Sequence, residues 1–183
     1  MLRITLGDYT LAIAKDMPSI YNEYHKRAKL VEFFESENAT DAQFFLAVAR
    51  GSDWPFLIVV QRYHPGPVSG FFPGVMLVPE TDLLFIGAGD RIVSYSLDSP
   101  KKLWEEKITL GFWRWERYQE YVIMSAEIEL AVWDIQGEKR WSSFVEPPWS
   151  YTLQGSMMHL EVMGKQFAFP LEYGPSERLR WLE

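Results

Sequence analysis

The 183-residue chain contains no cysteine, which removes disulfides, thiolate metal sites and cysteine nucleophiles from consideration. Histidine is nearly as scarce. His25, His64 and His159 lie far apart, and none has a metal-like neighbour two or four residues on. No metal site and no cofactor is therefore expected. Long apolar runs are missing too. "FFLAVA" and "FLIVV" are too short to cross a bilayer. Gly7-Asp8 and Lys15-Asp16 interrupt the amino-terminal segment, so it has no apolar core of signal-peptide length. A soluble, cytoplasmic protein with no membrane partner is the expectation, and in that setting the glycosylation pattern Asn38-Ala39-Thr40 is a chance match.

Positive charge is in the minority. Eighteen basic residues face 25 acidic ones, for a net charge of −7. A field of that sign repels phosphate backbones, so nucleic acid is not an expected partner, whereas a basic protein is. The one basic cluster, "HKRAK" from His25 to Lys29, reads as a solvated helix face.

Hydrophobic residues make up 48% of the chain and aromatics 16%, with eight tryptophans. That composition belongs to an ordered globular protein. The length suits a single domain over residues 1–183. The Gly/Pro-rich "HPGPVSGFFPG" marks an internal boundary near 64–74, between an amino-terminal part (1–63) and a repeat-like part (75–183).

Short apolar stretches broken every six to ten residues by turn chemistry dominate the pattern. "LRITL", the turn Gly7-Asp8 and "YTLAIA" form a hairpin with Tyr9, Leu11 and Ile13 on one face. In "PSIYNEYHKRAKLVEF", the spacing of Ile20, Tyr24, Ala28 and Val31 predicts one short helix, although "KLVEFFES" also reads as a strand. Strand then follows strand to the end. The fold class expected is mainly β: an antiparallel meander of many short strands, propeller-like, sandwich or barrel, with one amino-terminal helix.

Two segments echo one another. "IVSYSLDSPKKLW" and "ELAVWDIQGEKRW" share an apolar strand, an Asp at its end, a polar turn and a Trp opening the next strand. Trp104 to Trp141 is a step of 37 residues and Asp98 to Asp134 one of 36, with a degenerate third copy ending at Trp181. Leu84 to Val145 thus resembles the blades of WD40-like and quinoprotein-like β-propellers, without the Gly-His element of many WD40 blades. The resemblance implies blade-like meander sheets, either in a partial, propeller-like stack or in a closed ring, which needs at least about four.

Each enzyme motif tested falls short. Gly87-Ala88-Gly89 begins like a dinucleotide fingerprint, but Ile92 stands where the third glycine belongs. The alternating "RIVSYSL" that follows is a strand, which makes Gly89-Asp90 a hairpin turn. "GPVSG" misses the serine-hydrolase elbow because Gly66 lies three positions before Ser69. Glu127 and Glu129, about 6.6 Å apart along one strand face, are the carboxylate pair closest to glycosidase spacing.

What is left is aromatic. In "GFWRWERYQEY", strand alternation places Trp113 and Trp115 on one face and Phe112, Arg114 and Glu116 on the other. Trp149 in "VEPPWSY", and His64 and Phe72 in the Gly/Pro loop, are further candidates for contact. Trp, Tyr and Arg dominate binding hot spots. The expectation is a non-enzymatic interaction protein using Trp113, Arg114, Trp115, Trp149, His64 and Phe72, such as an acidic neutraliser of a basic protein. The alternative is a carbohydrate-binding module, or a glycoside-acting enzyme with two glutamates.

Overall fold

The computed structural model describes residues 1–35, 42–65 and 72–176. Asn38, Gly66, Ser69 and Trp181 fall outside the described residues, as do the motifs read there. Strand accounts for 60% of the structure and helix for 6%, so the fold is mainly β. No helix among the described residues is long and apolar enough to cross a membrane.

The strands form four sheets in chain order. The first sheet holds β1 (Leu2–Leu6), β2 (Tyr9–Ala14), β3 (Leu30–Phe34), β4 (Ala42–Arg50) and β5 (Leu57–Tyr63), in the order β1-β2-β4-β5-β3. Three meanders follow: β6 (Gly74–Val78) to β9 (Lys101–Lys107) through β7 (Leu83–Ala88) and β8 (Arg91–Ser96); β10 (Phe112–Tyr118) to β13 (Lys139–Phe144) through β11 (Tyr121–Ala126) and β12 (Glu129–Asp134); and β14 (Trp149–Gln154), β15 (Met157–Val162) and β16 (Lys165–Pro170). The Gly7-Asp8 and Gly89-Asp90 hairpins form as the sequence predicts, each with its glycine at positive φ.

The predicted helix is shorter than its pattern. α1 covers only Tyr21–Arg27, and Ala28 is already extended. The reason is tertiary. The backbone N–H groups of Lys29 and Leu30 donate to the Phe56 carbonyl, and "LVEFF" then pairs in parallel with β5. Tyr24 and Ala28 still pack on the face the helical spacing assigns them, but Val31 reaches that face from β3.

Successive sheets bury one core between each neighbouring pair. Leu11, Leu46 and Val59 of the first sheet meet Leu84, Ile86 and Val93 of the second. Phe85 and Ile92 meet Phe112, Trp115 and Trp133 of the third. Ile123, Val132 and Trp141 meet Met158 and Leu160 of the fourth. Each core is a sheet-on-sheet contact of alternating inward residues. No core cluster among the described residues joins the fourth sheet back to the first.

The ends of the stack differ from its middle. α1 covers the back of the first sheet, where Phe45, Ala47, Ile58 and Val60 pack with Tyr24. The outer face of the fourth sheet shows Ser150, Thr152, His159 and Glu161 to solvent, while Met158, Leu160 and Val162 alternate inward.

The tryptophan repeat has a physical meaning. Trp104 lies on β9 and Trp141 on β13, the last strands of the second and third sheets. Each indole N–H reaches into the next sheet: Trp104 Nε1 donates to the Gly137 carbonyl at 3.1 Å, and Trp141 Nε1 to the Leu171 carbonyl at 2.7 Å. The 37-residue step is a strut repeated between sheets.

Candidate functional site

The candidate site forms where the third and fourth sheets meet at β10 and β14, and it depends on one irregularity. Between β10 and β11, Phe112 pairs with Ala126 but Arg114 pairs with Ser125, so Trp113 is an extra residue in a β-bulge. The bulge breaks the alternation on which the sequence reading relies. Phe112 and Trp115 both face the second sheet and are buried there, in ring contact with each other at 5.4 Å. Trp113, Arg114 and Glu116 face the fourth sheet instead. Trp115 therefore belongs to the core and not to the surface, and Phe112 does not share the face of Arg114.

The bulge turns Trp113 onto Trp149. Their rings stack at 5.3 Å with 12° between planes, and Trp149 stacks in turn on Tyr151 at 6.2 Å and 14°. Alternation along β14 puts Trp149 and Tyr151 on one face. Two near-parallel neighbours sandwich the Trp149 ring, so the outward indole face of the stack is that of Trp113, which is 39% exposed.

Polar contacts fix the rest. Trp149 Nε1 donates to the Glu127 carbonyl at 3.0 Å. The Tyr151 hydroxyl donates to Glu116 Oε2 at 2.7 Å, and Arg114 lies over the Tyr151 ring at 5.8 Å while its guanidinium stands 3.6 Å from Glu116. Burial pushes the Tyr151 hydroxyl above the usual phenol range, and its bond to Glu116 pushes the same way. Tyr151 thus stays neutral and a donor at physiological pH. Tyr151 was not singled out in the sequence, although its i, i+2 spacing from Trp149 carries the signal.

The structure brings together Trp113, Arg114 and Trp149 of the residues singled out above. His64 is exposed beside the Gly89 turn. Phe72 is 64% exposed, two residues before Gly74, which lies against the Phe112 ring.

The proposed carboxylate pair does not form. Glu127 sits in the turn after β11 and Glu129 opens β12, so they do not project from one strand face. Burial raises the Glu129 carboxyl above the usual range, with Lys139 opposing and Glu106 reinforcing the shift. Those neighbours place Glu129 on the side of the third sheet that meets the second, away from the aromatic stack. Among the described residues, no three His, Asp or Glu side chains gather where they could hold a metal ion.

No protein-family model matches the chain, and no curated protein does. Solved structures with a similar fold include the computationally designed Ika8 protein (TM-score 0.46, 10% identity, over 94% of this chain and 58% of that one). BamB from Moraxella catarrhalis is another (0.42, 11%, over 78% and 47%), as is Hsv2 from Kluyveromyces lactis (0.32, 9%, over 56% and 33%). BamB and Hsv2 are β-propellers. The chain spans a third to three-fifths of the length of these proteins. At TM-scores below 0.5 the likenesses carry no argument about what this chain does. The description that stands is of a mainly β stack of four sheets.

Proposed function

We propose that the protein is a non-enzymatic binding protein that engages a protein partner through the Trp113 end of the Trp113–Trp149–Tyr151 stack. The observation that carries this reading is the bulge, which takes Trp113 out of the core that accepts Phe112 and Trp115 and presents it to solvent on a stacked base. A pre-stacked aromatic flanked by Arg114 has the composition of a binding hot spot, and it loses little conformational freedom when a partner arrives. The net charge of −7 favours a basic partner.

The arrangement supports binding over glycoside chemistry. Acid–base work on a sugar needs two carboxylates facing one cleft. Among the described residues, Glu116 is the single carboxylate bonded to the stack, and it is engaged by Tyr151. The half-buried Glu129 lies on the other side of the sheet.

The test compares wild type with Trp113→Ala as immobilised baits in extract of the native host at modest salt. At least one partner held by wild type and lost by the variant is expected, with both baits sharing one circular dichroism spectrum. Identical partner lists would sink the reading. Binding to immobilised glycans that disappears in the variant would replace it with the carbohydrate-binding one.

A further inference from the structure

One sheet edge is finished differently from the rest. Among the described residues β1 pairs only with β2, and all five of its residues are exposed. Leu2, Ile4 and Leu6 sit opposite Ile13, Leu11 and Tyr9, so they share the face that those residues turn toward the second sheet. Yet Leu2 is 59%, Ile4 37% and Leu6 44% exposed. Proteins normally blunt such an edge with proline, a bulge or several charges. β1 has no proline and no bulge, and its single charge, Arg3, turns to the Tyr24 hydroxyl at 3.3 Å.

The direction of the free backbone groups follows from the hairpin. A two-residue turn makes Leu6 and Tyr9 the hydrogen-bonded closing pair, and bonding alternates from there. Thr5 and Thr10 then form a close, non-bonded pair, consistent with their hydroxyls standing 3.3 Å apart. The N–H and C=O groups of Arg3 and Thr5 therefore point away from β2, and no described backbone group outside the sheet bonds to them.

We infer that β1 pairs antiparallel with β1 of a second copy of this chain, about a two-fold axis through Ile4. The sequence "LRITL" is self-complementary in that register. Leu2 faces the partner's Leu6, Ile4 faces the partner's Ile4, and Arg3 faces the partner's Thr5. The bonding pattern agrees, because Arg3 and Thr5 own the outward groups and each becomes the other's narrow pair. Four backbone hydrogen bonds and one continuous apolar stripe result. Other registers fail. A one-residue slip sets apolar side chains on opposite faces. A two-residue slip in one direction opposes the two Arg3 side chains, and in the other it sets Leu2 against the partner's Asp8. The product is a ten-stranded sheet made from the two five-stranded ones.

Sedimentation velocity on wild type across the micromolar range tests this, and a concentration-dependent monomer–dimer equilibrium is expected. Ile4→Lys places two ammonium groups at the dyad, where facing Cβ atoms lie about 4.5–5.5 Å apart. It is expected to give monomer with an unchanged far-UV spectrum. Thr5→Glu sets a carboxylate opposite the partner's Arg3 twice and is expected to tighten the dimer by about 2- to 30-fold at low salt. Trp113→Ala is expected to leave the dimer intact, which separates this inference from the binding reading. A wild type that stays monomeric, a dimer that survives Ile4→Lys, or a Thr5→Glu dimer weaker than wild type would overturn it.

Discussion

Gly87 and Gly74 face each other across the β6–β7 ladder, and the fully buried Phe112 ring lies over both. A Cβ on Gly87 would stand 2.4 Å from Phe112 Cδ2 and 2.5 Å from Cε2, and one on Gly74 would stand 2.8 Å from Cε1. These are carbon–carbon distances that no rotamer change at an alanine relieves, so Gly87→Ala must displace the ring that joins the second sheet to the third. Overpacking of this kind costs about 1–3 kcal/mol. Gly87 has no positive φ, so alanine fits its backbone. With the ring gone, the same substitution is expected to be neutral, or stabilising by about 0.4–1 kcal/mol through the unfolded chain. Phe112→Ala alone costs about 3–5 kcal/mol. A double-mutant cycle, measured by urea unfolding with tryptophan fluorescence, is therefore expected to give strong coupling, with Gly87→Ala changing sign in the Phe112→Ala background. Costs that add to within about 0.5 kcal/mol would refute the close approach.

Two further expectations concern polar groups at least half withdrawn from solvent. Burial raises the Glu129 pKa in the folded state, so the residue favours folding below its unfolded pKa, and that contribution fades as pH rises through the folded value. Glu129→Gln is accordingly expected to melt higher than wild type at neutral pH, the gap closing near pH 4; an equal or lower Tm at pH 7 would contradict this. The buried Tyr95 hydroxyl donates to Glu32 at 2.5 Å, tying β8 to the edge strand β3 beside Lys102. Tyr95→Phe is expected to cost about 1–3 kcal/mol, seen as a Tm fall of several degrees. A change under about one degree would mean that the bond contributes nothing net.

The parts of the fold legible in the sequence were those set by neighbours in the chain. Alternation and paired turn residues revealed the β1–β2 and β7–β8 hairpins, and Gly89 could be assigned to a turn because its positive φ is a local demand. Gly87 could not be explained that way, since Phe112, which requires it, lies 25 residues on in another sheet. β3 was blurred into the helix for a related reason: its parallel partner β5 is remote, and "KLVEFF" satisfies both periods. At the site, Trp113, Arg114 and Trp149 were visible as residue types. Which of Trp113 and Trp115 turns outward was not, because a bulge is chosen when Phe112 and Trp115 both find places in the second core. The tryptophan step was visible as spacing, but the carbonyls it serves belong to the next sheet along.

Those indole bonds have a consequence for how the protein could vary in length. Each strut needs only a tryptophan on the last strand of one sheet and a free carbonyl on the next, and each core needs only its two adjacent faces. Nothing in that grammar counts the sheets. A chain with one sheet more or fewer inside the stack would meet the same local rules, so the interior packing sets how neighbouring sheets join and not how many there are.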